Sequence, residues 1–390
     1  MRVAIFTETY LPSTDGVVTR LLATLRELAR LEHEVLLLAP DGGPETYAGF
    51  RVEGFPGNPY FLYPDKRVIW PRPRVLTVLR RFRPELIHAV NPVVFGFGAV
   101  IASRILGVPL VASYHTHMPR FAELYGFPFM TGFIWWYMRL MHNRATVNLC
   151  TSESARQELV AHHFRRVRVW SHGVDVERFR AGPPDAEMRR RLTGGHPERT
   201  ILLYVGRLAP EKQIDRLVPL ARRLDGAHLA LVGDGPLRGK LEAAFAGTPT
   251  TFVGYLQGAD LVAAYNTADA FLFPSTTETL GLVLLEAMAC GLPIIAARSA
   301  PSRDLLGDDE AGLLYDARDP EALAAAVAAF RAEPELRERL RAGARRRGVQ
   351  RGWEGPTRQL VGYYAEALGR VRAGARAAHL LSGGTGAGGV

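Results

Sequence analysis

Short apolar runs alternate along this chain with longer segments of helical period. RVAIF near the N-terminus, EVLLLAP, RVEGF, ELIHAV and PLVASYH read as strands, most of them near-continuous apolar runs of the kind buried on both faces. Between them RLLATLRELARL and FGAVIASRILG carry apolar residues at helical spacing. The second half repeats the pattern with TILLYV, LALV, TFVG, FLF and PIIAA as strands and LVLLEAMA as a helix, and two Ala- and Arg-rich helices follow GLLYDARDPEAL. TILLYVGRLAPEKQIDRL predicts a strand, a loop and a helix. This alternation predicts an α/β chain with doubly wound parallel sheets. The Gly/Pro-bearing connections AGPPD and TGGHPE place a change of domain near residues 171–198, so domains over 1–172 and 173–352 are expected.

Composition narrows the class. A chain of 390 residues, 47% hydrophobic and 22% charged, supports two globular cores. No apolar run reaches the length of a membrane span and MRVAIFTETY has no signal-peptide pattern, so a cytoplasmic location is expected. Cys150 and Cys290 lie in apolar contexts, which fits reduced core thiols and leaves too few ligands for a cysteine-based zinc site. The formal charge of +9 calls for an anionic partner. Zinc-finger, RNA-binding and basic-zipper patterns are absent, so that partner is expected to be a phosphate group or an anionic lipid surface rather than nucleic acid. The oligomeric state is left open.

The chemistry gathers around PSTTETLGLVLLEAMACG. Glu278 sits at a loop-to-helix junction, and Glu286 lies further along the helix. Gly281 allows close backbone approach, and the first amides of the helix favour an anion or a sugar hydroxyl. On spacing alone, Glu278 as a simple cap and Glu286 as a solvated residue remain equally open. The loop after the first strand carries Gly16 as a phosphate-facing amide, with Asp15 as a possible N-cap. His115 and His117 follow a strand directly; a metal pair would need a third ligand that the spacing lacks, and the other reading is a hydrogen-bonded structural histidine. Arg207 and Lys212 bracket one short loop and can converge on a phosphate, one by a planar fork and one as a point charge, or stand as surface charges. FGFG at Gly96 and Gly98 lacks the register of a dinucleotide site. Trp135 and Trp136, in the aromatic stretch from Phe121 to Met141, suit either a bilayer surface or the core. Arg80, Arg81 and Arg83, together with Arg74, form a basic helix that suits anionic lipid.

Taken together, LPSTDGVVTR, HAVNP, SYHTHMP, GVDVERF, YVGRLAPEK, VGDGP, FVGYL and TETLGLVLLEAMA resemble the family-four retaining glycosyltransferases over roughly residues 1–370. They look most like the bacterial sulfoquinovosyltransferases that make sulfoquinovosyl diacylglycerol. The resemblance implies a GT-B fold of two Rossmann-like domains, with a helix over 353–374 crossing back to the first; the tail over 375–390, ending in LSGGTGAGGV with no preceding strand of a βαβ unit and no following helix, is expected to be disordered. It implies a nucleotide-sugar donor, UDP-sulfoquinovose first among them, with no metal or other cofactor, and a diacylglycerol-type acceptor reached by peripheral association with the inner face of a membrane. It assigns His115 to the donor sugar near the reaction centre, Glu278 to sugar hydroxyls, Glu286 to the ribose, and Gly16, Arg207 and Lys212 to the diphosphate. Gly233, Gly235, Tyr255, Leu256, Leu280, Gly281 and Leu282 then border the donor, and His117 faces the acceptor. One departure stands out: APSRDLL, with Asp304 kept, replaces an expected Gly-Gly-Ile-Pro-Asp loop.

Overall fold

Alternate residues of strand β1 (Arg2–Thr7) serve two different cores, Val3 and Ile5 on one face and Ala4 and Phe6 on the other. Both faces of the strand are therefore covered, as its unbroken apolar run requires. The computed structural model describes residues 1–13, 15–60, 63–276, 281–307 and 310–382, without the side chains of 59–66 and 374–382. In the first half, β1 is followed by α1 (Gly16–Arg30), β2 (Glu34–Pro40), β3 (Thr46–Tyr47), β4 (Phe50–Phe55), β5 (Asn58–Tyr60) and β6 (Tyr63–Val68). Next come α2 (Pro73–Phe82), β7 (Leu86–Val90), α3 (Phe95–Leu106), β8 (Leu110–Ser113), α4 (Met118–Leu124), α5 (Thr131–His142), β9 (Val147–Cys150), α6 (Glu153–Ala161) and β10 (Val167–Val169). The second half has α7 (Ala186–Leu192), β11 (Thr200–Val205), α8 (Val218–Ala221), β12 (Ala227–Val232), α9 (Arg238–Ala244), β13 (Thr250–Gly254), α10 (Gly258–Thr267) and β14 (Ala270–Phe273). It ends with α11 (Leu282–Ala289), β15 (Ile294–Ala297), α12 (Ala300–Leu306), β16 (Gly312–Tyr315), α13 (Ala322–Ala332), α14 (Pro334–Val349) and α15 (Glu354–Ser382).

The chain forms two compact units. One comprises residues 1–119, 129–171 and 353 onward, and the other residues 120–128 and 172–352. The first is built on an eight-stranded sheet in the order β10-β9-β8-β7-β1-β2-β4-β3, parallel except where β3 meets β4. One of its faces packs against α1 and α15, through Leu21, Leu25, Leu360 and Tyr364. Its other face packs against α2, α3 and α5, through Val75, Leu79, Phe95, Ala99 and Met141. The second unit has a six-stranded parallel sheet in the order β13-β12-β11-β14-β15-β16, again with a core on each face. Each is a Rossmann-like α/β layer structure, as the alternation predicts. Cys150 and Cys290 are buried free thiols, each pushed up to about 12 by burial, so they are held as unreactive thiols.

Two local expectations are corrected. The helix expected at the end of TILLYVGRLAPEKQIDRL is instead a 3₁₀ turn, Ile214–Leu217, ahead of the short α8, and the loop before it holds another, Pro210–Lys212. Gln213 between them is left-handed, with φ of 52°, and its side-chain oxygen accepts from the Thr276 amide and hydroxyl, so a tertiary contact overrides helical spacing. At the other end, α15 runs to Ser382, past residue 374; RAGARAAHLL is rich in strong helix formers.

Helix α11, which carries Glu286, packs on α14 at a glycine. A Cβ on Gly348 would lie 2.4 Å from the Ala289 nitrogen and the Met288 carbonyl carbon, whereas one on Gly362 of α15 would meet nothing within 4 Å. Gly348→Ala should therefore destabilise the protein by about 1–3 kcal/mol. Gly362→Ala should be neutral or stabilise it by roughly 0.5–1 kcal/mol through helix propensity. Thermal denaturation of the two variants beside the parent checks both signs.

Candidate active site

In the first unit the parallel strands deliver their loops to one edge. Asp15 caps α1, its Oδ1 accepting from the Val17 and Val18 amides at 3.0 Å each, and Gly16 is the first helical residue. A carboxylate thus takes two of the first-turn amides, and the phosphate reading of this helix rests on Gly16 alone. Glu8, just past β1, accepts from the Val93 and Gly96 amides at 2.9 Å each, tying that strand end to the start of α3. Burial raises the Glu8 pKa, and those amides oppose the rise.

His115 lies two residues past β8 and is buried. Its backbone is held by Asn91, whose Oδ1 accepts from the His115 and Thr116 amides at 3.3 and 3.2 Å. Its Nε2 is 2.8 Å from Ser113 Oγ, which is 2.9 Å from Nε2 of His88; Nδ1 of His88 is 2.8 Å from the Tyr364 hydroxyl. Trp170 fills the remaining space, its ring 5.7 Å from His115 and 5.9 Å from His88, with the Arg20 guanidinium 3.5 Å above it. Burial pushes Arg20 down to about 9. Asn91, Ser113, His88, Tyr364, Arg20 and Trp170 carry no expected role from the sequence. HAVNP was the available signal for two of them, but only the fold aligns β7 and β8 so that His88 and Ser113 meet.

His117 turns away from His115, its Nε2 2.9 Å from Glu158 Oε1 and its ring edge-on to Trp135. Trp135 in turn stacks on His162 at 3.7 Å, while Trp136 is 49% exposed. Of the two readings of the aromatic stretch, packing describes Trp135, and exposure leaves Trp136 available to an interface. On α2, Arg80 and Arg81 are exposed, as is Arg83 at its C-cap, whereas Arg74 pairs with the buried Glu53, as Arg51 does at 2.6 Å. Exposed apolar residues missed by the sequence pattern line α3: Phe97, Ile101 and Ile105 stand at i, i+4 and i+8, and Trp70, just before α2, is 64% exposed.

In the second unit, Arg207 and Lys212 lie in the loop after β11. That loop is pressed against the one after β12: the Leu208 amide donates to the Asp234 carbonyl at 2.9 Å, and the Leu237 amide to the Leu208 carbonyl at 2.9 Å. Gly233 and Gly235 make this possible. A Cβ at Gly233 would lie 2.0 Å from the Gly206 oxygen, and one at Gly235 2.5 Å from the Leu208 oxygen. Both glycines thereby set the position of Arg207. On the other side, Ser275 Oγ donates to the Glu211 carbonyl at 2.9 Å, so the loop bearing Lys212 is tied to the segment leading into α11. Tyr125 donates to Glu211 Oε2 at 3.1 Å.

Glu278 and Leu280 lie outside the described residues. Gly281 is the N-cap of α11 in the left-handed region, φ 57°, where an added Cβ would also meet Leu305 at 2.7 Å. Leu282 begins the helix, and one turn on Glu286 accepts from the Tyr265 hydroxyl at 2.8 Å. Burial pushes the Glu286 pKa up to about 7, against the lowering effects of the Tyr265 hydrogen bond and of Arg178. It is half-buried and hydrogen-bonded, not a freely solvated surface carboxylate. Beyond β13, Tyr255 is 55% exposed and Leu256 is buried in the core, so only its backbone is available to a ligand. The APSRDLL stretch is α12, opened by a Ser299–Ser302 capping box with Asp304 exposed, rather than a glycine loop.

Two parallel-sheet Rossmann-like units with glycine-bearing loops at their strand ends make up the GT-B glycosyltransferase fold. The structure of Anabaena Alr3699/HepE in complex with UDP and glucose shares it, with a TM-score of 0.75 at 20% identity over 93% of this chain and 99% of that one. Residues 189–347 match the glycosyl transferases group 1 and residues 14–178 match glycosyltransferase family 4, and the chain belongs to this family of nucleotide-sugar glycosyltransferases. It is 40% identical to a GDP-mannose-dependent alpha-mannosyltransferase of Mycolicibacterium smegmatis, over 95% of this chain and 98% of that protein. It is 35% identical to sulfoquinovosyl transferase SQD2 of Arabidopsis thaliana, over 92% of this chain and 72% of that protein.

The raised Glu286 pKa makes a testable link to stability. Between pH 4.5, its ordinary value, and about 7 the folded chain holds a proton that the unfolded chain has lost, so this group's contribution to stability falls as pH rises through that window. Glu286→Gln keeps an acceptor for Tyr265 and removes the ionisation. Its thermal midpoint should exceed the parent's at pH 8, and the gain should vanish near pH 4.5.

Proposed function

We propose that this chain transfers a hexosyl group, with retention of anomeric configuration, from a nucleoside diphosphate sugar to a diacylglycerol-type lipid. Glu286 carries the reading: a half-buried carboxylate on α11, oriented by Tyr265, has the chemistry to accept hydrogen bonds from the two hydroxyls of a ribose. In the same reading Gly281, Leu282 and the backbone at Tyr255 and Leu256 border the donor, with Glu278 and Leu280 assigned by family resemblance. Arg207 and Lys212 stabilise charge on the departing diphosphate together with Gly16, and no metal ion is required for that step. His115 faces the donor sugar, and His117, held by Glu158, lies toward the acceptor.

Two donors are favoured by separate observations. The motif resemblance and the 35% identical sulfoquinovosyl transferase favour UDP-sulfoquinovose. The 40% identical mannosyltransferase, matched almost end to end, favours GDP-mannose. Incubation with each donor and mixed diacylglycerol and phosphatidylinositol lipids, with product lipids identified by mass spectrometry, decides between them. Release of free nucleoside diphosphate without a glycolipid from any donor would overturn the lipid acceptor, and binding with no release at all would overturn catalysis. With the working donor, Arg207→Ala or Lys212→Ala should lower turnover by ~10²-fold or more, by analogy with loss of an oxyanion donor. A chelator should leave turnover unchanged; strict dependence on added magnesium or manganese would count against the charge role given to these two residues.

The acceptor would be met at an anionic membrane surface. Among the described residues no helix is long and apolar enough to cross a membrane. The layer of α2, α3 and α5 instead exposes Phe97, Ile101, Ile105, Phe133 and Trp136 beside the exposed Arg80, Arg81, Arg83 and Arg104. Aromatic and aliphatic side chains of this kind enter the interface, and each arginine near anionic headgroups adds roughly 1 kcal/mol. Binding to vesicles should rise with anionic lipid and weaken with salt. Replacing Ile101, Ile105 and Trp136 by serine, or the α2 arginines by glutamine, should reduce it in co-sedimentation. Unchanged binding in both sets would place the membrane contact elsewhere.

A further inference from the structure

The polar chain beneath His115 is buried throughout: Tyr364 and Ser113 are inaccessible, and His88 and His115 nearly so. Buried hydrogen-bonding groups need partners, and this requirement sets a direction along the chain. Among the described residues the Tyr364 hydroxyl has one partner, Nδ1 of His88. If the phenol accepted there, its own O–H would be buried without an acceptor, so the arrangement that satisfies it has Tyr364 donating to His88 Nδ1. His88 is neutral, because burial and the nearby Arg20 push its pKa down to about 3. A neutral imidazole that accepts at Nδ1 carries its proton on Nε2, and it donates that proton to Ser113 Oγ at 2.9 Å. Ser113 Oγ then has its own proton to place, and its second partner is Nε2 of His115 at 2.8 Å. The serine donates, and His115 Nε2 accepts.

We propose that Tyr364, His88 and Ser113 form a one-way hydrogen-bond chain that holds the proton of His115 on Nδ1, which makes all three positioning residues for that ring. Running the chain the other way, with a proton on Nε2 of His115, would send the serine proton to His88 and strand the Tyr364 O–H. The same reversal is required when His115 takes a second proton, so the chain also favours the neutral ring. Arg20 on α1, stacked on the Trp170 ring that contacts both histidines, is a charged neighbour that, with burial, keeps His88 neutral. The consequence for catalysis rests on the proposed role of His115 at the donor sugar: it would present an N–H donor there, not a base. Helix α15 would thus act on the reaction through a side chain that meets no substrate.

The test reads the rings directly. Long-range ¹H–¹⁵N spectra of the full-length ¹⁵N-labelled chain at neutral pH, with resonances assigned through His88 and His115 variants, report the tautomer of each histidine. His115 should carry its proton on Nδ1 and His88 on Nε2. Tyr364→Phe, which removes one hydroxyl, should turn His115 into a mixture of tautomers and lower turnover several-fold with little change in donor KM. His88→Gln, whose amide can accept from Tyr364 and donate to Ser113, should keep the His115 tautomer, and His88→Leu should lose it. A wild-type His115 protonated on Nε2, or a tautomer unchanged in both Tyr364→Phe and His88→Leu, overturns the proposal, and the first of these needs no variant to fold. The role of His115 is separable: if His115→Ala leaves glycosyl transfer intact while the tautomers behave as expected, the hydrogen-bond chain stands and the catalytic reading of His115 fails.

Discussion

Parallel strand pairing imposes the constraint on which the rest of this structure depends. Within the two main sheets every pairing except that of β3 with β4 is parallel. Each strand must therefore be followed by a crossover that covers one face of its sheet, and both faces become core. In each unit the polar residues of the strand-to-helix loops gather at the edge where that unit's strands end. Gly16, His115, Arg207, Gly233 and Gly281 all stand just beyond a strand or at the start of the following helix for this reason.

At that edge, position is held by backbone contact as much as by side chains. The loop carrying Arg207 and Lys212 lies between the Gly233–Gly235 turn and the Ser275–Thr276 segment, and its amides and carbonyls are paired to both. The two glycines thus have a structural task whatever ligand they border. Asp15 plays a comparable part in the first unit, where its carboxylate closes the first turn of α1. These contacts place charged side chains on short, pinned loops.

Buried polar groups are the other shaping element. His88 and His115 are buried and Glu8 and Glu286 half-buried, and each has a hydrogen-bond partner that fixes its orientation. Unpaired, such groups would cost the fold more than apolar replacements would. Family membership carries the general chemistry, nucleotide-sugar glycosyl transfer, while the choice of sugar depends on side chains that contact the donor itself.

Much of the architecture was legible in the sequence because it depends on local pattern. The apolar strand runs, the helical periods of α1, α3 and α11, the GRLAPEK loop and the two carboxylates of the ETLGLVLLE stretch are all readable in order along the chain. The 3₁₀ turns around Gln213 were not, since a hydrogen bond to Thr276 overrides the helical spacing there. Nor could spacing separate a freely solvated Glu286 from a half-buried, hydrogen-bonded one, because Tyr265 arrives from a different helix. Trp135 and Trp136 are adjacent and alike in sequence, yet one stacks on His162 and the other faces outward, since neighbouring helical positions point about a hundred degrees apart. Tyr364, His88 and Ser113 come from α15, β7 and β8, and His115 from the loop just past β8, with hundreds of residues between the first and the rest. Sequence determined which local elements form; only tertiary packing, by bringing distant strands and a terminal helix into register, decided which polar atoms were buried against one another.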